Sequence, residues 1–254
     1  TYVLSISLKE GIPMKTKKTL GVIGGLGPMA TAYFMQLVIE MTDAHSDQEH
    51  FPMIIYSLPQ IPDRTKYLLG QSKESPLDPI AECGNALVKD GADWIAIPCI
   101  TAHALHEQIQ DRVDIPVIHA IRECVSYLKE RNIRKVGLEA TDGTIQTKVF
   151  QTELEAAGIE VVLPDADMQS KVMDIIYKNV KAGVPVDMEA FAEVEKQLVD
   201  AGSQVIILGC TELSMVKRDY DLSPIYLDAL EVLARAAVLK CGTLRMDKDE
   251  LIAR

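Results

Sequence analysis

A chain of 254 residues with 26 Lys and Arg against 37 Asp and Glu carries a formal net charge of −11, which argues against a nucleic-acid partner. With 48% hydrophobic and 25% charged residues, the composition is that of a soluble globular protein with room for one large or two modest domains. The longest apolar runs, such as Trp94 to Ile100 around Pro98, fall far short of the ~18 residues of a membrane span, so no membrane partner is expected.

The amino-terminal stretch TYVLSISLKEGIP has neither the basic start nor the sustained apolar core of a secretory signal. Met14 followed by KTKKTLGVIGG reads as a natural start, so residues 1–13 are expected to be an extension or an expression scar. From there short β-branched runs alternate with longer helical patterns. TLGVIG precedes PMATAYFMQLVIEM, PMIIYSL precedes PLDPIAECGNALVKDGA, and WIAIP precedes a helix from about Thr101. The second half repeats the alternation with RKVGLEA, IEVVLP, the amphipathic MQSKVMDIIYKNVKAG, the helical MEAFAEVEKQLVDAG and QVIILG. Strands separated by helices of this length imply βαβ units and parallel sheets, the α/β class. Gly91, Gly183 and Gly202 read as helix stops, and Pro28 and Pro76 sit near helix starts.

The five cysteines, Cys83, Cys99, Cys124, Cys210 and Cys241, are scattered and contain no CxxC pair. That argues against a disulfide framework or a structural zinc site and suits a reducing cytoplasm. Two of them terminate an internal echo. DGADWIAIPC lies over AGSQVIILGC, so that Gly91 falls on Gly202, Ile95 on Ile206, Ile97 on Leu208 and Cys99 on Cys210. Thr101 and Thr211 follow closely, and Gly21 and Gly137 occupy matching places in LGVIGG and VGLEA. Two similar halves are expected, each delivering a cysteine to a cleft beyond the carboxyl ends of its strands.

A pair of thiols flanking one carbon can take a proton from one face and return one to the other. A cysteine at a helix amino terminus is expected to have a lowered pKa, which makes it usable as a base. The alternative is that each is a small buried hydrophobe, the reading given to Cys83, Cys124 and Cys241. A second motif competes for attention. Gly25, Gly27 and Ala30 match GxGxxA between a strand and a helix, and Asp43 and Asp47 lie near the distance of a ribose-binding acid. Pro28 stiffens that turn and no strand clearly ends at either aspartate, so a dinucleotide is not the favoured ligand.

The landmarks GVIGGLGPMAT at 21–31, PQIPDRT at 59–65, IPCITAH at 97–103, ATDGT at 140–144, VMDIIYKNVKAG at 172–183 and GCTE at 209–212 occur in order. In this the chain resembles the cofactor-independent aspartate/glutamate racemase superfamily and, within it, the aspartate racemases. The resemblance implies two pseudo-symmetric three-layer α/β/α domains with parallel sheets and the active site between them. It places the first domain at 14–118 plus 227–254 and the second at 119–226. It implies a homodimer acting on a small-molecule amino acid, with no cofactor, no pyridoxal phosphate and no metal.

By the same resemblance Cys99 and Cys210 are the acid/base pair, and Thr101 and Thr211 hold the α-carboxylate or cap their helices. Thr144 contacts substrate or caps, Gly25 lines the site, and Arg64 pairs with a distal carboxylate through bidentate hydrogen bonds. Glu212 polarises Cys210, orients a neighbour or is simply a favourable acidic residue in a helix first turn, and His103 tunes Cys99 or is a surface or capping histidine. Three positions depart from the pattern. Ile100 stands where aspartate racemases have asparagine, which removes a buried donor worth ~1–3 kcal/mol. Glu139 stands in LEAT where LLAT is usual, and is expected either to enter the pocket and favour a neutral or cationic amino acid or to face away and pair with Arg134 or Lys135. Ser170 stands where a lysine is usual, with Lys171 one place off and so about 100° round the helix. Competing readings are decarboxylation or cis-trans isomerisation of a small diacid, and a degenerate amino-acid-binding protein.

Overall fold

A computed structural model of the chain describes residues 17–252; the expected extension at residues 1–13 lies outside them. The first half runs β1 (Leu20–Gly24), α1 (Pro28–Met41), β2 (Met53–Ser57), α2 (Arg64–Leu68), α3 (Leu77–Lys89), β3 (Trp94–Ala96), a 3-10 helix (Ile100–Leu105), α4 (His106–Gln110) and α5 (Ala120–Glu130). The second runs β4 (Lys135–Glu139), α6 (Asp142–Gln146), α7 (Val149–Ala156), β5 (Glu160–Val162), α8 (Ala166–Asp174), a π-helical turn (Ile175–Val180), α9 (Met188–Asp200), β6 (Val205–Leu208), α10 (Thr211–Asp219), β7 (Tyr226–Asp228) and α11 (Ala229–Cys241). The fold is α/β with parallel sheets throughout. No helix of the described residues is long and apolar enough to cross a membrane.

The sheets have matching orders, β2-β1-β3 and β5-β4-β6-β7. A parallel bridge between Ile95 and Val117 supplies the stub of a fourth strand beside β3, where Tyr226 stands opposite Ile206 beside β6. The register repeats as well: Gly21 pairs with Ile95, and Gly137 with Ile206. Each of these central glycines lets a helix approach closely. A Cβ on Gly21 would sit 3.3 Å from Cβ of Leu87 on α3, and one on Gly137 3.1 Å from Cβ of Leu198 on α9. The sequence echo is therefore a repeat of strand register and helix packing.

Burial explains the layers. β6 (VIIL) is buried at every position, the continuous apolar pattern of a parallel strand covered on both faces. On α5, Ile121, Cys124, Val125 and Leu128 are buried, one face of an amphipathic helix. One core, with Phe34, Leu128, Leu138, Phe150 and Leu233, is common to both halves. Separate outer cores contain Cys99 in the first half and Cys210 in the second. The second sheet runs to Asp228, past the expected boundary at 226, before α11 packs against α1, α5 and β3.

Candidate active site

The two thiols line one cleft. Cys99 follows β3 and caps the 3-10 helix with φ −151°, while Cys210 follows β6 and caps α10 with φ −141°. Both are buried, and both line one narrow cleft with Leu26, Arg64, Ile100, Thr101 and Thr211. The cleft encloses about 20 Å³, whereas an adjoining groove of about 540 Å³ shares Lys181, Thr211 and Glu212 with it. The smaller space is the one lined by both thiols. Burial pushes the remaining thiols up, Cys83 to about 11 and Cys241 to about 12, and Cys124 also rises through burial. These three are core residues, as expected.

The partners of the pair differ in charge. Cys210 Sγ donates to Glu212 Oε2 at 2.9 Å, and Lys181 Nζ lies 3.0 Å from Glu212 Oε1. Burial first, and then the Glu212 carboxylate, hold the Cys210 pKa well above the ordinary thiol value. This reverses the expected lowering by the helix terminus, because desolvation and a neighbouring anion both favour the neutral thiol. Across the cleft, burial opposes the charge on Arg64, but Cys99, Asp63 and Glu212 outweigh it and raise its pKa. The site thus places a guanidinium beside one sulfur and a carboxylate beside the other.

Arg64 is not a solvated loop residue. Nη1 donates to the carbonyls of Ile61 at 3.1 Å and Pro62 at 2.9 Å, and Nη2 to that of Leu26 at 3.0 Å; Nε is buried without a partner. Three of its five N–H donors go to backbone, and Nε–H with the second Nη2–H remain as the side-on pair for a carboxylate. Thr101 lines the cleft, but Thr144 lies behind it. The hydroxyls of Thr101, Thr141 and Thr144 form a ring with separations of 3.2, 3.0 and 3.1 Å. Thr144 therefore supports the wall rather than lining it. Gly25 has φ +86°, and a Cβ there would lie 2.3 Å from the Leu58 nitrogen. Its role is the turn that brings Leu26 to the cleft.

Two other expectations change. His103 is buried with Nε2 3.2 Å from the Ile97 carbonyl and lines a different cavity, so it is neither a surface residue nor a wall of the thiol cleft. Glu139 is buried with its carboxyl 3.5 Å from the Tyr226 hydroxyl and does not line the cleft. Strand alternation explains this: Leu138 enters the common core, so Glu139 points to the opposite face. Lys135, the proposed partner, pairs with Glu160 at 2.8 Å instead. Ser170 is exposed and Lys171 pairs with Glu193, so neither reaches the site. The cation comes instead from Lys181, after the π-helical turn that also brings Tyr177 to the cleft. Both belong to the motif VMDIIYKNVKAG, and Thr141 to ATDGT, but no helical spacing of 3.6 residues would have aimed them correctly. At the glycine loop, Glu212 Oε1 lies 3.5 Å from where a Gly27 Cβ would be. A carboxylate so near the start of α1 opposes a pyrophosphate there.

Cys99 and Cys210 thus stand at matching strand ends of two parallel-sheet halves and line one cleft. The model of the Asp/Glu/Hydantoin racemase family matches residues 23–237, and the chain belongs to this family. It is 27% identical over 229 residues to the broad specificity amino-acid racemase RacX of Bacillus subtilis, across 86% of this chain and 96% of RacX. The solved Picrophilus torridus aspartate racemase is 29% identical with a TM-score of 0.77, covering 91% of this chain and 97% of that one. An aspartate racemase homologue from Pyrococcus horikoshii is 27% identical with a TM-score of 0.71, covering 88% and 98%.

Proposed function

We propose that the protein is a cofactor-independent amino-acid racemase in which Cys99 and Cys210 work as a two-base pair. The observation that carries this reading is the shared cleft with oppositely charged partners. Cys99, which lines the cleft with Arg64, takes the α-proton from one face. Cys210, held as thiol by Glu212, gives its proton to the other face. After one turnover the protonation states are exchanged, and the opposite enantiomer is processed in reverse. Thr211 and the first amides of α10 favour the α-carboxylate at this end of the cleft. The closed space of about 20 Å³ suits about one or two waters, so the walls must part to admit an amino acid.

The substrate we favour has a neutral side chain. Three Arg64 donor contacts go to backbone carbonyls, Lys181 is paired with Glu212, and Ile100 presents hydrocarbon. Of the five Arg64 donors only Nε–H and one Nη2–H remain for a second carboxylate. The name of the Bacillus relative, a broad specificity racemase, fits a site not restricted to acidic substrates. Aspartate is the second reading, because the unpartnered Arg64 Nε is one donor for a distal carboxylate. Chiral analysis of single-enantiomer amino acids incubated with the reduced protein tests the choice. Faster inversion of neutral amino acids than of aspartate is expected; aspartate as the preferred substrate would reject the neutral reading, and no inversion of any amino acid would reject the racemase.

A further inference from the structure

A second cluster of titratable groups lies outside the thiol cleft. His103, His106 and His119 have ring centroids 4.3–6.0 Å apart and line a cavity of about 200 Å³ with Glu107, Arg122 and Glu153. This cavity shares no lining residue with the thiol cleft, although the 3-10 helix Ile100–Leu105 contributes to both. The orientation of the rings is the informative feature. His106 Nε2 lies 2.9 Å from the Val117 carbonyl, and His103 Nε2 lies 3.2 Å from that of Ile97. A carbonyl only accepts, so each Nε2 carries the proton and donates it. Each Nδ1 is then a bare lone pair, and both Nδ1 atoms are buried without a hydrogen-bond partner in side chains only 2% and 6% exposed.

An imidazole fixed by one N–H on a backbone carbonyl, with the other nitrogen unprotonated, is the arrangement found behind metal-ligating histidines. One ligand atom each from His106, Glu107 and His119 lies within 4.8 Å of the others. We propose that His106, Glu107 and His119 form a binding site for a borderline divalent transition-metal ion of the zinc type. Two histidines and a carboxylate are a donor set such an ion accepts, and a hard ion such as Mg²⁺ does not prefer it.

Two existing contacts must yield. His119 Nδ1 accepts from the Arg122 backbone N–H at 3.4 Å, a long cap bond. Arg122 Nη2 holds Glu107 Oε1 at 2.7 Å, while its Nε holds Glu153 Oε1 at 2.7 Å. The ion takes the place of the guanidinium at Glu107, and Glu153 retains Arg122. Bound there, it ties α4 to the start of α5 behind the 3-10 helix that carries Thr101.

The test is calorimetric titration of chelator-treated protein with Zn²⁺, and with Mg²⁺ as control. It is run in a Cys99→Ser/Cys210→Ser background so that the thiols do not compete. One Zn²⁺ per chain and no Mg²⁺ response are expected. Glu107→Gln and His119→Asn should each weaken binding by about tenfold or more, and Arg122→Gln should tighten it by removing a competing cation. Glu107 and Arg122 are exposed enough to be replaced without disturbing a core. Failure of the Cys99→Ser/Cys210→Ser protein to bind Zn²⁺, or an affinity unchanged in both Glu107→Gln and His119→Asn, would overturn the proposal.

Discussion

Cys210 Sγ lies 2.9 Å from the carboxylate of Glu212, two residues further along and in the first turn of the same helix. The donor must be the thiol, so Glu212 fixes Cys210 in its acid form. Replacing Glu212 with glutamine removes the anion that raises this thiol. The limb of the pH–rate profile that requires protonated Cys210 should therefore move to lower pH, with turnover reduced by at least about tenfold. A profile unmoved on that side would show that Glu212 does not govern the thiol.

Lys181 acts in the opposite sense, because its charge lowers Cys210 while it neutralises Glu212. Lys181→Met should move the same limb to higher pH. Measuring both variants side by side separates electrostatic control from a general loss of packing, which would displace the two profiles alike.

Glu139 tests how far the thiol cleft extends. Since it faces Tyr226, Glu139→Gln should leave substrate preference unchanged. Its effect should appear in stability instead. Burial, and then Glu195, push the carboxyl up to about 8, above its unfolded value of about 4.3. Its contribution is fully present below the unfolded value and is lost as pH rises through about 8. The wild type should lose stability between pH ~5 and ~8, and the glutamine variant should show a smaller loss in denaturant titrations. Some slope remains, because burial and then Glu231 raise Asp228 in the same direction, to about 7.

The threonine ring gives a third contrast. Thr144→Val breaks two of its three hydroxyl contacts and should cost about 1–3 kcal/mol, read as a lowered melting temperature. Because Thr144 does not line the cleft, its effect on KM should be smaller than that of Thr101→Val. The reverse order would place Thr144 against substrate.

Much of this architecture is legible in the sequence because it repeats. Gly21 and Gly137, Ile95 and Ile206, and Cys99 and Cys210 recur as matched positions, and register follows from them. Side-chain direction is less accessible. Glu139 could be placed at a strand end, but the face it takes depends on which core receives Leu138. Lys181 and Tyr177 were hidden by the π-helical turn, since one wide turn rotates every later residue away from the direction that α-helical spacing implies. Arg64 was recognised by type, but its three carbonyl acceptors come from loops whose approach no local pattern encodes. The histidine cluster was invisible for a similar reason: His119 is brought to His103 and His106 by the return of the chain after Val117, which pairs with Ile95.

The two-thiol mechanism is tested most directly by following deuterium and chirality together, in D₂O, for wild type and for the Cys99→Ser and Cys210→Ser variants, each starting from a pure enantiomer. The account predicts that wild-type product is inverted and carries deuterium at the α-carbon, and that either substitution abolishes inversion while the protein remains folded. Inversion that persists in one of the single variants would contradict it.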